Sequence, residues 1–242
     1  MPNQPGKFLT AEWRHLLMLN FAIEPEILRP YVPRGTELDS WNDTTLVSLV
    51  GFRFLYTKLL GVPIPFHRNF DEVNLRFYVR FKAGNEWRRG VVFIKEIVPR
   101  WMVSCVARRA YNENYVTHRM RHTIEAPTAT TPGQVCYEWK TAGRWNRIAA
   151  VINGEPTLAH SGSEEEFITE HYWGYTAQRN GSTAEYEVEH APWRVWSAEQ
   201  IEIACGAENL YGPAFAGVLA GKPSSAFVAD GSAIVVRKGR RI

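Results

Sequence analysis

Apolar and polar residues alternate with unusual regularity between residues 71 and 81. Because successive side chains of a β-strand point to opposite faces, this pattern predicts a strand with two different environments. We expect its polar face to line either a functional site or a network of salt bridges. One face carries Val73, Leu75, Phe77, Val79 and Phe81, and the other carries Glu72, Asn74, Arg76, Tyr78 and Arg80.

The segment 91–122 combines a strand, a helix and an irregular return. Residues 91–97 form an apolar run typical of a strand, and Pro99 suits the first turn of a helix because its missing N–H would be unpaired there. Apolar residues at helical spacing follow, and asparagines then favour a turn before a second strand through Tyr115 and His118. Such a return can hold reactive groups on a rigid base, and an ordinary helix C-terminus explains the same residues. Both interpretations stay open.

Residues 171–190 predict a β-hairpin with an aromatic face. A central Asn-Gly pair calls for a two-residue turn, and counting outward from it places Tyr175 opposite Tyr186 and His171 opposite His190. The other face carries three glutamates, so we expect it to be exposed to solvent. The two histidines are either a functional pair or a cap on the sheet edge with backbone hydrogen bonds.

Short strands with small helical interruptions make up the rest of the chain. A short helix is predicted over residues 197–205, and Asp230-Gly231 is predicted to join the last two strands. There is no internal repeat, no regular strand-helix alternation and no shift of composition that marks a linker. We therefore predict a mainly β (α+β) protein with a single domain over residues 1–242. Its architecture is an antiparallel barrel or strongly curved sheet with a few short helices packed outside.

Two segments are candidates for contact surfaces. Residues 56–70 contain glycine and prolines amid apolar side chains, which predicts a loop tucked under the domain, with a lid or partner surface as the alternative. Residues 237–241 include four basic side chains and are typical of a solvated terminus. A protein-interaction module that uses both segments is therefore one hypothesis for function.

Composition narrows the class of protein. A hydrophobic fraction of 45% over 242 residues is ample for a core. The formal charge of +3 is small and scattered, so we expect no nucleic-acid partner. Three widely spaced cysteines fit buried thiols in a reducing cytoplasm. No apolar run approaches the length of a membrane span, so we expect a cytoplasmic protein without membrane contact, and homo-oligomerisation stays open.

The sequence lacks the familiar cofactor and metal motifs. Patterns for dinucleotides, phosphate loops, zinc peptidases, paired cysteines and serine hydrolases do not occur, so we expect no cofactor. His118 and His122 are four residues apart, but they lie on a predicted strand without an acid or cysteine to join them, so we expect no metal site. Lys95 is surrounded by apolar residues, which suits nucleophilic use if its amine points inward, although a strand equally places it towards solvent.

Four segments resemble the uncharacterised YqjF-like family of bacterial proteins. The order of elements is also distantly similar to acetoacetate decarboxylase, which implies a cone-shaped antiparallel barrel with an internal pocket. In that comparison the decarboxylase glutamate falls near Glu72, whereas its adjacent lysines fall near Tyr115 and Val116. Without an amine there, Schiff-base chemistry has no nucleophile, so the resemblance implies the pocket and not the decarboxylation. The four segments are residues 74–81, 88–120, 164–175 and 189–196.

On such a barrel, the polar residues of three segments converge on one cavity. An arginine and tyrosines suit a carboxylate or another oxyanion, and a buried glutamate suits acid or base work. A structural salt-bridge network between Glu72 and arginines explains the same residues. The candidate catalytic residues are Glu72, Tyr115 and His118, and the candidate ligand-binding residues are Asn74, Arg76, Arg109, Tyr111 and Asn114.

Two further hypotheses for function share this cavity. The first is a barrel that binds a small anionic or carbonyl-bearing organic molecule, with lyase-like or isomerase-like acid/base catalysis and no Schiff base. The second is a ligand-binding or sensing protein without catalysis. Exchange of Glu72 for glutamine separates them, because only turnover depends on its proton transfer.

Overall fold

β-Strands make up most of the protein. The computed structural model describes residues 5–99 and 114–242. The part of the predicted helix that follows Pro99, with the candidate residues Arg109 and Tyr111, therefore lies outside the described residues. The strands are β1 (Lys7–Ala22), β2 (Thr36–Leu38), β3 (Leu46–Leu59), β4 (Val62–Pro63), β5 (Phe70–Ala83), β6 (Glu86–Val98), β7 (Tyr115–Thr117), β8 (Met120–Glu125), β9 (Gly133–Thr141), β10 (Arg144–Ile152), β11 (Thr157–Leu158), β12 (Trp173–Ala177), β13 (Thr183–His190), β14 (Arg194–Ala204), β15 (Ser225–Arg237) and β16 (Arg240–Arg241).

Seven of these strands close into a barrel. The order around it is β1, β3, β5, β6, β12, β13 and β15, and β15 pairs again with β1. Neighbouring strands are antiparallel except β6 and β12, which run parallel and pair Trp173 with Gly90 and Gly174 with Val91. Closure removes the free edges that an open sheet would present. The predicted antiparallel barrel is thus confirmed, with one parallel seam.

A smaller sheet packs on the outside of the barrel. It contains β14, β10, β9 and β8 in that order. β14 begins beside β15, where Val195 pairs with Ala229, and continues along β10, where Ile203 pairs with Ile148. A large apolar core fills the space between the sheets and includes Leu49, Leu75, Tyr137, Trp139 and Ile148.

Short helices lie around the barrel. One of them begins after Ser163, whose Oγ accepts a 3.2 Å hydrogen bond from the Glu166 amide and so caps its N-terminus. None of the helices in the described chain has the length and apolar character needed to cross a bilayer. The helices are α1 (Pro25–Leu28), a 3-10 turn (Arg29–Tyr31), α2 (Glu164–Thr169), α3 (Ala207–Tyr211) and α4 (Pro213–Leu219).

The two faces of β5 separate the outer core from the barrel interior. This agrees with the alternation predicted for residues 71–81, and it places a row of polar side chains inside the barrel. The residues facing the outer core are Val73, Leu75, Phe77 and Val79, and those facing the interior are Glu72, Asn74, Arg76 and Tyr78.

The register of the hairpin formed by β12 and β13 differs from the prediction by one residue. The loop contains five residues, 178–182, so Tyr175 pairs with Glu185 rather than with Tyr186. A shift of one residue moves side chains to the opposite face of a strand. Glu185, predicted to be exposed, is therefore buried. His171 precedes β12, and His190 pairs with Ile234.

Two other local predictions are wrong. Residues 197–205, predicted as a helix, lie almost entirely in β14, because pairing with β10 outweighs local propensity. Asp230-Gly231, predicted to separate two strands, lies inside the single strand β15. Gly231 has a φ of +81°, and a Cβ there would lie 2.0 Å from the Trp13 carbonyl oxygen, so glycine lets β15 continue along β1.

Candidate functional site

The barrel encloses a cavity of about 150 Å³. Its lining comes from the inward faces of the barrel strands, together with β7, the end of α2 and the segments on either side of the β12–β13 hairpin. Most of the lining side chains are apolar or aromatic, and a few polar groups converge on the space. This combination is typical of small-molecule sites, in which apolar walls give affinity and polar groups fix orientation.

A strip of polar residues crosses three neighbouring strands. Glu72, Asn74 and Arg76 occupy alternate positions of β5 and so face the cavity together. Glu96 of β6 pairs in register with Asn74, and Tyr115 of β7 pairs in register with Glu96. Five polar side chains from distant parts of the sequence therefore lie side by side on one wall.

Glu72 is held by its neighbours on this strip. Its carboxylate is buried, with 2% of the residue exposed. Asn74 Nδ2 donates a 3.0 Å hydrogen bond to Oε1, and the Tyr115 hydroxyl donates a longer one of 3.4 Å to Oε2. The two contacts restrict the orientation of a carboxylate that lines the cavity. This arrangement suits a group that accepts or donates a proton at a fixed position.

Arg76 carries a buried charge that has no carboxylate partner among the described residues. Only 7% of the residue is exposed, and it lines the cavity. Its Nη2 lies 3.9 Å from the sulfur of Met18, its guanidinium carbon lies 5.9 Å from the ring centre of Tyr78, and its Nε has no hydrogen-bond partner among the described residues. No acidic side chain in that part of the chain forms an ion pair with it. A buried guanidinium without a counter-charge is costly, so this position favours an anion.

His171 lies on the wall near Arg76. Its ring is 4.8 Å from the ring of Tyr78, and its Nε2 is 3.4 Å from Asp39 Oδ2. Burial lowers the pKa of His171 to about 4, although Asp39 opposes this effect. At neutral pH the imidazole is therefore uncharged, so it can contact a ligand without adding positive charge to the cavity.

His190 lines the same cavity in a fixed tautomer. Its Nδ1 lies 3.0 Å from the Ala191 carbonyl oxygen, which can only accept, so Nδ1 carries the proton and Nε2 is left as an acceptor. Its ring stacks on Trp193 at 4.3 Å and lies 4.6 Å from the ring of Tyr172. Burial lowers the pKa of His190, and the bond to Ala191 opposes this shift. His171 and His190 therefore both line the cavity.

The structure brings together only some of the predicted site residues. Glu72, Asn74, Arg76 and Tyr115 line the cavity. His118 does not line it. Its amide bonds to the Val98 carbonyl oxygen, and desolvation together with the charge of Lys95 lowers its pKa. Asn114 is exposed and uses Nδ2 to bond the Ile94 carbonyl oxygen at 2.9 Å. The structure therefore does not bring His118 and Asn114 to the shared cavity.

Lys95 also lies away from the cavity. Its amine donates to the Leu210 carbonyl oxygen of α3 and lies 5.9 Å from the ring centre of Tyr211. Burial lowers the pKa of this amine. Within the described residues, no lysine lines the cavity, and no group of histidine, cysteine and acidic side chains is arranged to hold a metal ion. The amine that Schiff-base chemistry requires is thus missing from the described lining.

The apolar segment 56–70 forms the rim of the cavity instead of lying under the domain. Ile64 and His67 line the cavity, whereas Val62 and Phe66 are 65% and 88% exposed. The end of β3 and the short strand β4 pair through Leu59 and Val62. The rim therefore places exposed apolar side chains beside the cavity, at a point where a ligand could enter.

The fold is that of the acetoacetate-decarboxylase-like barrels. Acetoacetate decarboxylase from Legionella pneumophila superposes with a TM-score of 0.67 at 13% identity, covering 100% of this chain and 92% of that one. The enduracididine biosynthesis enzyme MppR, in complex with pyruvate, superposes with a TM-score of 0.67 at 11% identity over 99% and 91% of the two chains. An acetoacetate decarboxylase-like enzyme from Sphingomonas wittichii RW1 superposes with a TM-score of 0.64 at 12% identity, covering 98% of this chain and 94% of that one. At such identities the likeness concerns the fold.

The chain belongs to the DUF2071 family, described as "uncharacterized conserved protein", whose profile matches residues 10–233. Uncharacterized protein YqjF of Bacillus subtilis (strain 168) is 26% identical over 190 residues, which are 77% of this chain and 74% of that protein. The predicted resemblance to YqjF-like proteins is confirmed, as is the predicted likeness to the decarboxylase fold.

Proposed function

We propose that the protein binds a small organic anion, a carboxylic or keto acid, in the barrel cavity and catalyses proton transfer on it without a Schiff base. The observation that carries the proposal is Arg76, a guanidinium that is 7% exposed, lines the cavity and has no carboxylate partner among the described residues. A bound carboxylate supplies the missing counter-charge. Because a guanidinium matches a carboxylate with two parallel N–H donors, the same contact also orients the ligand.

The groups beside Arg76 suit a reaction next to a carbonyl. In this proposal Glu72 accepts a proton from the carbon adjacent to a ligand carbonyl. The Tyr115 hydroxyl then exchanges its long 3.4 Å hydrogen bond to Glu72 for one to the developing oxyanion. MppR, a structural neighbour, binds pyruvate, which is a keto acid of this class. His118 takes no part in the proposed reaction because it lies outside the cavity lining.

A second function uses the same cavity without chemistry. A ligand-binding or sensing protein also needs Arg76 and the apolar walls, but it does not need Glu72 as a proton acceptor. The observation that favours this alternative is the lack of a lysine among the described lining residues, because Schiff-base catalysis on a carbonyl ligand needs a lysine amine. Both functions predict the same ligand class, so binding is tested first.

The experiment is a thermal-shift panel of small carboxylic and keto acids, preceded by native mass spectrometry of the fresh protein. An acid at one hundred times its Kd stabilises the fold by about 2.7 kcal/mol, which raises Tm by roughly 5–10 °C for a chain of this size. Arg76→Met should abolish the shift. Arg80→Met should keep it, because Arg80 lies on the same strand but outside the cavity, paired with Glu37. Indifference of the wild type to the whole panel would refute the proposal.

A further inference from the structure

We infer that the ligand of this cavity is a single-ring aromatic acid, with its carboxylate at Arg76 and its ring on an aromatic wall. This inference rests on the proposed function and specifies its substrate class. What it adds comes from the side of the cavity beside the polar strip, where the lining is aromatic. The wall is formed by Trp13, Phe52, Phe54, Phe70 and Trp193, and we call it the aromatic wall.

The rings of the aromatic wall form one continuous surface. Trp13 lies at its centre, with ring centres 5.5 Å from Phe52, 5.8 Å from Phe54 and 6.2 Å from Trp193, all in edge-to-face arrangements. Phe70 extends the surface by stacking on Phe54 at 4.6 Å. Aromatic pairs at these distances and angles are favourable, and a wall built in this way presents both ring faces and ring edges. A further aromatic ring in the cavity could pack on it in the same geometry.

The aromatic wall adjoins the polar strip. Phe52 pairs in register with Glu72, and Phe54 pairs in register with Phe70, so the wall on β3 continues into the strip on β5. Trp193 at the other end stacks on His190. A ligand on this wall therefore has aromatic carbon on one side and, on the other, the polar strip that runs along β5 from Glu72 to Arg76. An amphipathic molecule with a planar apolar body satisfies both sides at once.

The size of the cavity sets the size of the apolar body. Its volume of about 150 Å³ is close to that of engineered apolar cavities that bind benzene. A ligand with a single methyl group would leave most of the wall without contacts. A single ring therefore matches the volume of the cavity. The rim beside Ile64 and Phe66 gives such a ring an apolar entrance.

The test is isothermal calorimetry of the wild type with acetate, phenylacetate and cyclohexylacetate, which share one head group. We expect phenylacetate to bind at least about tenfold more tightly than acetate, since a buried ring removes apolar area from water. We expect it also to bind about threefold or more tightly than cyclohexylacetate, because only the planar ring can join the edge-to-face packing. Arg76→Met should weaken all three acids.

A matched pair of tryptophan variants locates the ring. Trp13→Leu should remove most of the advantage of phenylacetate over acetate, whereas Trp145→Leu, which changes a tryptophan outside the cavity lining, should retain it. If Trp13→Leu does not fold, the comparison of the three acids on the wild type still tests whether the ligand is an aromatic acid. Equal affinity for acetate and phenylacetate would overturn the aromatic class and leave the proposed function intact. If the wild type binds none of these three acids, and no keto acid of the thermal-shift panel either, the proposed function itself is refuted.

Discussion

His171 and Asp39 lie 3.4 Å apart, from Nε2 to Oδ2, where the segment before β12 meets the chain just after β2. Arg89 donates a 2.7 Å hydrogen bond from Nε to the same oxygen. Burial opposes the ionisation of Asp39, but its contacts with His171 and Arg89 prevail and lower its pKa to about 2. One carboxylate thus ties β2, β6 and the cavity wall together.

The burial of His171, which outweighs its contact with Asp39, predicts that acid destabilises the protein in a defined range of pH. The pKa of His171 is about 4 in the folded protein and 6.5 in an unfolded chain, so the unfolded state binds the proton first. The stabilisation is complete above pH 6.5 and is lost as the pH falls towards 4, by about 3 kcal/mol. Asp39 causes a further loss of stability as the pH falls from 3.8, its pKa in the unfolded chain, towards 2, its pKa in the folded protein.

The measurement is the free energy of unfolding in urea at intervals between pH 7 and pH 4. His171→Gln should flatten the dependence in this range, whereas His160→Gln, a change at an exposed position, should leave it as in the wild type. An identical slope in wild type and His171→Gln would show that the titration of His171 does not control acid stability.

Glu72→Gln is predicted to separate binding from chemistry. If Glu72 removes the proton next to the carbonyl of a bound keto acid, the variant should slow exchange of that proton with deuterated water by about 100-fold or more. Affinity for the same acid should change little, because Asn74 and Arg76 remain in place. NMR measures the exchange and calorimetry the affinity. Equal exchange rates would assign the protein to binding without catalysis at Glu72.

The parallel seam of the barrel is predicted to require glycine. A Cβ at Gly90 would lie 2.5 Å from the Trp173 carbonyl oxygen and 2.6 Å from the Tyr175 ring, so neither strand can keep its position. Gly90→Ala should therefore lower the free energy of unfolding by about 2–3 kcal/mol. Gly217→Ala in α4 is the control, since nothing lies within 4 Å of the added methyl and helix propensity favours alanine. Equal stability of both variants would mean that the seam opens freely.

The best sequence predictions come from strong local alternation. Between residues 71 and 81 the contrast of apolar and polar positions is complete, so period-two geometry alone places Glu72, Asn74 and Arg76 on one face. Tyr115 reached the candidate list through the resemblance to the decarboxylase. The first prediction needs only the residues of one segment, and the second needs only the order of segments along the chain.

Features set by distant pairing escaped prediction. Phe93 of β6 lines the cavity, so strict alternation of side chains along this strand would place Lys95 in the cavity and Glu96 outside it. A β-bulge in β6, where it pairs with Leu75 and Arg76 of β5, shifts the register by one residue. As a result Glu96 lines the cavity and Lys95 faces α3. No local signal marks such a bulge.

The buried Glu185 escaped prediction for a similar reason. Its strand alternates as expected, but a five-residue loop shifts the register by one, and its partners come from far along the chain. Arg88 donates two hydrogen bonds to its carboxylate, at 2.8 and 3.0 Å, and Arg240 donates one at 2.8 Å. These partners make burial of the charge tolerable, and they cannot be identified from a hairpin pattern alone.

A crystal structure of the protein soaked with phenylacetate or pyruvate tests the central claim most directly. The account predicts an acid inside the barrel with its carboxylate oxygens within about 3.2 Å of the guanidinium nitrogens of Arg76. An acid bound elsewhere, or a carboxylate directed away from Arg76, would contradict the account.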